Sequence, residues 1–457
     1  MVQGATAKST PTPRGSMKLS TLKGTFRAIF DREILKAEAK QFGAIERERK
    51  FKAYDFLLAL MTGACVGPWR SIAAVRRCWE KLTHETIDAD GFEDHFNAGM
   101  AQLLWHQLEG LLGAGNRAMR RQWPAALREL RDILVADGTR MAVAAGLAED
   151  LRGTADGQAA LKLIGVYSLG KGHLSGLRAS AAVHHDRKVL RLGHLVAGAL
   201  YLLDLGFYDH DLFAEYVKAN AFFVSRLKDN VMPTIEAVVE GVVGGRRVIG
   251  ERLDGALTYR AEVDVDARFS VHDDPDTSTN VFRVVKLDVE CTNRHGRPNG
   301  EWVSCWFVTN LPRESWTVPM IAALYRLRWT IERIWREAKH LARLDHLRSK
   351  RPTVLFIFVA ASLVFHLLAD RIIAQLVLQY GFAKVSRDGV LATLITAWPD
   401  LANELYATGE VGGRQLRDLS VILEHESRHP NPSQPRLIET VFKTLERETR
   451  RLAGQRV

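Results

Sequence analysis

Cysteine is scarce and dispersed. The 457-residue chain has four, Cys65, Cys78, Cys291 and Cys305, with no C-x-x-C pair among them. That spacing argues against a zinc ribbon or a thioredoxin-like motif, and scattered thiols suit a reducing cytoplasm. No secretory signal is expected either. The opening MVQGATAKSTPTPRGS is polar and rich in Pro, Ser and Thr, and residues 1–18 read as a disordered tail. Long apolar runs are missing apart from TVLFIFVAASLVFHLLA at 353–369, which His366 interrupts and Asp370-Arg371 follow. A membrane span needs about 20 residues, so this run is expected to be a buried helix. No internal repeat is found.

What remains is an ordinary globular balance, 47% apolar and 25% charged, in a chain long enough for two or three domains. Lys and Arg number 63 against 53 Asp and Glu, with a pI near 9.4. A basic balance permits nucleic acid, anionic membrane or acidic protein partners and does not choose among them.

Residues 19–125 carry helical patterning. Phe51 to Leu60 is apolar and is broken at Gly63 and again at Gly67-Pro68; Ser71 then sits as an N-cap before IAAVRRCWEKL. Two helices around a glycine turn are compatible with a helix-turn-helix, with Arg76 and Arg77 on the second helix and Arg47, Arg49 and Lys50 ahead of the first. A small bundle with a solvated basic face fits the same pattern. Near residue 130 the texture changes. Ile133-Leu134-Val135-Ala136 reads as a buried central strand ended by Asp137-Gly138-Thr139. Further strands are expected at 161–169, 177–183, 197–203 and 221–227. Residues 230–312 are β-rich, with strands at 246–253, 257–265, 281–291 and 302–309 and polar turns at 273–276 and 293–300. They read as a small antiparallel sheet inserted into an α/β core. One long helix is expected from Val318 to about Leu344. Helices follow it, with a break at 428–436.

The helix YRLRWTIERIWREAK, residues 325–339, carries the most information. At about 100° per residue, Tyr325, Arg328, Glu332, Arg336 and Lys339 share a stripe roughly 21 Å long. Leu324, Leu327, Ile331, Ile334, Ala338 and Leu341 fall on the opposite side. Arg and Lys along such a stripe can neutralise phosphates, Tyr can donate a hydrogen bond, and one acid can ligate a metal. The same stripe also fits a solvated face, with Glu332–Arg336 as an i,i+4 pair.

Tyr325-x2-Arg328-x3-Glu332-x6-Lys339 resembles the YREK signature of DDE transposases of the insertion-sequence-four family. Asp137 in ADGT resembles that family's first catalytic aspartate, at the end of the first strand. Asp204 in LYLLDLGFYD resembles the second, at the end of the fourth. The likeness extends over about residues 20–380. It implies an α/β, ribonuclease-H-like catalytic core (126–229 and 313–378) interrupted by a β-rich insertion (230–312). It also implies a helical N-terminal DNA-binding domain (19–125) and a C-terminal helical region (379–457).

The resemblance further implies cut-and-paste transposition. Asp137, Asp204 and Glu332 would hold two Mg²⁺ ions, with Mn²⁺ as a substitute, and end cleavage, a hairpin intermediate and strand transfer would follow. Such ions choose carboxylate oxygens and can stabilise both attacking and leaving oxygens. Tyr325, Arg328, Arg336 and Lys339 would contact DNA, with further contacts from Arg226 and Lys228. Trp306 would stack on a flipped base, although Trp302 and Trp316 compete and core packing is the ordinary fate of a tryptophan. The partners implied are inverted-repeat and target DNA and a second copy of the chain, in a bacterial cytoplasm and without a membrane.

Several acids compete with the triad: Asp132, Asp186, Asp209 and Asp211, and a strand-terminal Asp before Gly is also a common turn device. His184-His185-Asp186 looks ligand-like, but neighbours on a strand point to opposite faces. His425, between Glu424 and Glu426, reads as solvated. Two other functions stay open: a ribonuclease-H-like nuclease without strand transfer, and a domesticated DNA-binding protein.

Overall fold

Short runs of aliphatic and β-branched residues build the spine of the molecule. The structure is a computed structural model. It describes residues 19–47, 50–67, 70–115, 117–186, 195–269, 281–292, 298–340, 344, 349–381, 385–426 and 437–454. The tail at 1–18, the turn at 273–276, most of the turn at 293–300 and the break at 428–436 lie outside the described residues, as does Arg49.

Among the described residues, nine strands form one mixed sheet: β1 Ile133–Ala142, β2 Ala160–Ser168, β3 His173–Ala181, β4 Leu200–Leu203, β5 Phe222–Arg226, β6 Thr234–Val242, β7 Tyr259–Arg268, β8 Val281–Thr292 and β9 Pro298–Thr309. Their order is β3-β2-β1-β4-β5-β9-β8-β7-β6. Strands β1, β4 and β5 are parallel neighbours; the remaining pairings are antiparallel. The β-rich segment is therefore not a separate small sheet. β9 pairs with β5, and the core sheet continues through it, which satisfies backbone groups that an edge strand would leave open.

Three local readings need correction. Asp137 does not end its strand: β2 pairs with β1 from Leu134 through Ala142, and this ladder overrides the Asp-Gly turn signal. Residues 246–253 are no strand, since Gly245–Val248 is a 3₁₀ turn, and the strand is instead Thr234–Val242. The long helix is two, α9 Val318–Arg326 and α10 Trp329–His340. Leu327 and Arg328 donate to the carbonyls three residues back at 2.9 and 3.0 Å, a tightened turn that separates them.

Before β1 come α1 Leu19–Arg27, α2 Arg32–Gln41, α3 Ala53–Leu60, α4 Ile72–Thr83, α5 Ala89–Glu93, α6 Ala98–Gly113 and α7 Ala125–Arg128. Ser71 caps α4 as expected, its Oγ accepting from the Ala74 amide. Gly63 breaks nothing, because α3 continues as a π-helical turn, Met61–Val66. A Cβ on Gly63 would stand 2.9 Å from the Val75 Cα, so glycine is what lets this turn touch α4. α8, His210–Lys218, is capped by Asp209.

After α10 come α11 Pro352–Tyr380, α12 Arg387–Thr408, α13 Gly413–Glu426 and α14 Leu437–Leu452. α11 is long and apolar enough to cross a membrane, but 83% of its apolar window is buried inside the protein. A core helix is the reading this supports. The N-terminal region packs on α11 and α12: Phe96 meets Phe358 of α11 at 5.9 Å, Phe30 meets Trp398 of α12 at 5.5 Å, and Trp398 Nε1 donates to Thr62 Oγ1. Both helical regions share one hydrophobic core with one face of the sheet.

Candidate active site

Side chains alternate along a strand, so register decides who meets whom. Asp137 pairs with Gly165 on β2. Ala136 pairs with Leu203 and Leu203 with Ser225, which puts Asp137 on β1, Asp204 just past the end of β4 and Arg226 on β5 in consecutive places one step further along. Arg226 in turn pairs with Phe307 on β9. One row, Gly165–Asp137–Asp204–Arg226–Phe307, crosses the sheet. Its members share parity with Val135, Leu202 and Val224, on the face that the helical core covers.

α9 and α10 lie over this row. Trp335 packs on Gly165, where an added Cβ would fall 2.6 Å from the indole. The Tyr325 ring sits on Phe307 at 5.2 Å. Between them, Arg328 Nη1 meets Glu332 Oε1 at 2.5 Å and Nε lies 3.8 Å from Asp204 Oδ1. The apolar residues assigned to the packed side, Leu324, Leu327, Ile331, Ile334 and Ala338, are all buried; Leu341 lies outside the described residues. Gly165→Val should therefore lift α10, lowering both melting temperature and cleavage. Unchanged values of both would show that the helix seat is not there.

Burial pushes the Asp137 carboxyl up to about 7. The Gly138 amide and Arg328 oppose that rise, and the charges of Asp204 and Glu332 add to it. Burial alone would lower the Arg328 pKa, but Asp204, Tyr325 and Glu332 carry it above its usual value. Three acids thus share one neighbourhood, and a guanidinium holds two of them. Among the described residues no three His, Cys, Asp or Glu already stand around a cation position. The donors nevertheless fit a hard divalent cation: three carboxylates, one of them destabilised as an anion chiefly by burial and further by its two acidic neighbours. Asp137, Asp204 and Glu332 are the residues that would hold it once Arg328 yields.

The cationic stripe is less exposed than its spacing suggests. Arg328 and Tyr325 are buried, and burial pushes the Tyr325 phenol up to about 12. The broken helix turns both toward the sheet. Arg336 is exposed, and Lys339 Nζ donates to the Arg140 carbonyl at 2.9 Å. Arg226, Lys228 and Trp306 line one cleft of about 410 Å³ with Tyr259 and Lys286. Trp306 is half-buried and meets Tyr259 edge-on at 5.0 Å. Its neighbours in the core belong to the sheet face opposite the acids. Of its competitors, Trp316 is buried in the core and Trp302 is 65% exposed.

The rival acids resolve into structural roles. Asp132 is buried and bonded to Arg117, Ser168 and two backbone amides. Asp209 caps α8, and Asp211 sits in its first turn. His425 is exposed beside Glu426. His184, His185 and Asp186 follow β3 and are not on a strand, so the opposite-faces argument does not apply to them. Reading the sequence missed Gly165 and Trp335, whose pairing is a tertiary contact.

Residues 128–368, just over half of the chain, match the family described as Transposase DDE domain. The chain belongs to this family. Two curated Escherichia coli relatives are similar over a short stretch: InsL, named as a transposase of insertion sequence element IS186A, and the transposase for insertion sequence element IS421. Each is 38% identical over 66 residues, 14% of this chain and 18% of the relative. The match thus spans less than a fifth of either relative's length. The chain is also similar to piggyBac transposase, from the cryo-EM structure of its synaptic complex with hairpin DNA. That likeness is at 9% identity over 90% of this chain and 88% of that one, with a TM-score of 0.44.

Proposed function

We propose that this DDE-family chain is a cut-and-paste transposase of the insertion-sequence-four type, acting on the inverted-repeat ends of a bacterial insertion sequence in the cytoplasm. The observation that carries the reading is the register placing Asp137 and Asp204 side by side beneath Glu332. Adjacent parallel strands deliver two carboxylates to one spot, and a helix seated on Gly165 delivers the third. Two Mg²⁺ ions, or Mn²⁺ in their place, would supply charge stabilisation for attacking and leaving oxygens when bound.

The chain's own groups divide the remaining work. Asp137, Asp204 and Glu332 hold the reacting centre. Arg328 restrains Asp204 and Glu332 until a DNA phosphate competes for its guanidinium, which suits planar recognition of phosphate. Tyr325 supports Arg328 from below, its ring 5.8 Å from the guanidinium carbon. Arg336 and Lys339 continue the cationic line along α10 and neutralise backbone charge. Arg226 stands next in the row after Asp204 and also lines the cleft of Trp306. That cleft takes a base extruded during hairpin formation, stacked on Trp306, with Lys228 at its rim. The N-terminal helices bind the terminal repeat, and two copies of the chain pair the ends.

The test is cleavage and strand transfer on DNA carrying the inverted repeats that flank the gene, with Mg²⁺. Wild type should cleave and join. Trp306→Ala should slow hairpin formation, in keeping with the roughly 1–3 kcal/mol that base–aromatic stacking contributes, whereas Trp302→Ala should not. Cleavage without joining would favour a plain nuclease, and binding without cleavage a DNA-binding protein.

A further inference from the structure

Behind the acids, on the reverse face of the sheet, lies a buried ion pair with no part in the roles above. Lys162 on β2 is 1% exposed. Its Nζ meets Asp186 Oδ1 at 2.6 Å and also donates to the His184 carbonyl. An ammonium this deep is costly unless paired, and Asp186 is the carboxylate that compensates it.

The other oxygen of Asp186 reaches the backbone on both sides of the site. A Cβ on Gly138 would stand 3.2 Å from Asp186 Oδ2, and one on Gly206 would stand 3.0 Å from it. Gly138 directly follows Asp137, and Gly206 is two residues past Asp204. Neither glycine has a positive φ, so backbone conformation does not demand glycine at either place. An added Cβ at either place would instead press on the carboxylate, which would have to give by a few tenths of an ångström.

Building on the function proposed above, we infer that Lys162 and Asp186 form a positioning strut for the active site. Asp186 bears on the strand of Asp137 and the turn of Asp204 together, and Lys162 fixes Asp186 from the core. The pair sets the spacing of the two catalytic aspartates without touching DNA or cation. Its loss loosens both segments and weakens cation binding.

The experiment uses the full chain. Mn²⁺ binding is followed by calorimetry, amide hydrogen exchange by mass spectrometry, and melting temperature alongside. The variants are Asp186→Ala, the charge-neutral Lys162→Met/Asp186→Ala, Gly138→Ala, and Gly138→Ala/Asp186→Ala. Because Asp186→Ala strands the buried lysine, the Lys162→Met double variant stands in if it does not fold. The expected result is Mn²⁺ affinity reduced about 10–100-fold, as for other groups that hold metal ligands in place, with faster exchange at 133–142 and 200–207. Gly138→Ala should act like Asp186→Ala, and combining the two should add little, since contacting residues are not additive.

Mn²⁺ affinity within about threefold of wild type with unchanged exchange, or fully additive Gly138 and Asp186 effects on melting temperature, would overturn the strut. If wild type itself binds no Mn²⁺, the proposed function fails, while exchange and the glycine cycle still decide the strut.

Discussion

Glu332→Gln should abolish cleavage of inverted-repeat DNA while leaving binding of the same DNA close to wild type. The amide keeps the shape of the side chain and removes the anion. Glu332 is the carboxylate supplied by α10, and its present partner, Arg328, retains Asp204 within reach after the change. The fold should therefore survive, because α10 is held elsewhere: by Trp335 over Gly165 and by Glu337, which pairs with Arg387 of α12, itself paired with Asp370 of α11. The loss of rate should far exceed the roughly 10–100-fold that removing a supporting residue costs. On the function proposed above, a direct cation ligand is lost here, together with the charge stabilisation it would enable. The comparison is single-turnover cleavage and gel-shift affinity measured on the same preparation. Cleavage within tenfold of wild type would remove Glu332 from the chemistry. Equal loss of cleavage and binding would move it from the reacting centre to DNA contact.

How far the site was legible in the sequence depends on what each residue's role rests upon. The strands at 160–168, 200–203 and 222–226 were readable because continuous apolar runs leave few other solutions. The three acids were singled out through the family resemblance, and their role in catalysis is part of the function proposed above. The row joining Asp137, Asp204 and Arg226 was not, because register belongs to the paired strands and to no single segment. The helix stripe was half legible. Its apolar side was correct, but a break at Leu327–Arg328 turned Tyr325 and Arg328 inward, and a uniform 100° step does not anticipate such a break. Asp186 was set aside by treating 184–186 as strand. A usable signal was present nonetheless: Asp137 and Asp204 are each followed within two residues by a glycine, and both glycines face the same carboxylate. The N-terminal helices were visible as helices, whereas their shared core with α11 depends on contacts hundreds of residues apart.

The metal-free chain should lose stability as pH rises from about 4 to about 7, and Asp137→Asn should remove much of that loss. The folded Asp137 carboxyl titrates near 7 against an ordinary value of 3.8, chiefly because burial penalises its anion. Between those values the folded state holds a proton that the unfolded state has released, so the contribution is fully present below about pH 4. It falls as pH rises and is gone above about 7. At about 1.36 kcal/mol per unit, the span is at most about 4 kcal/mol, shared with whatever else titrates there. Asparagine has no anion to desolvate, so the variant should be more stable than wild type at pH 8 and nearly equal at pH 4, even as its cleavage disappears. Mg²⁺ should reverse the wild-type trend, because a bound cation favours the anion and expels the proton. Calorimetry at pH 6 in buffers of different ionisation enthalpy should then register release of up to about one proton on binding. Denaturant melts of both proteins across this range give the answer. A wild-type profile flat from pH 4 to 7, or an Asp137→Asn protein less stable than wild type at pH 8, would mean that Asp137 is already compensated without a cation. The case for a metal-demanding acid cluster beneath Glu332 would then fall.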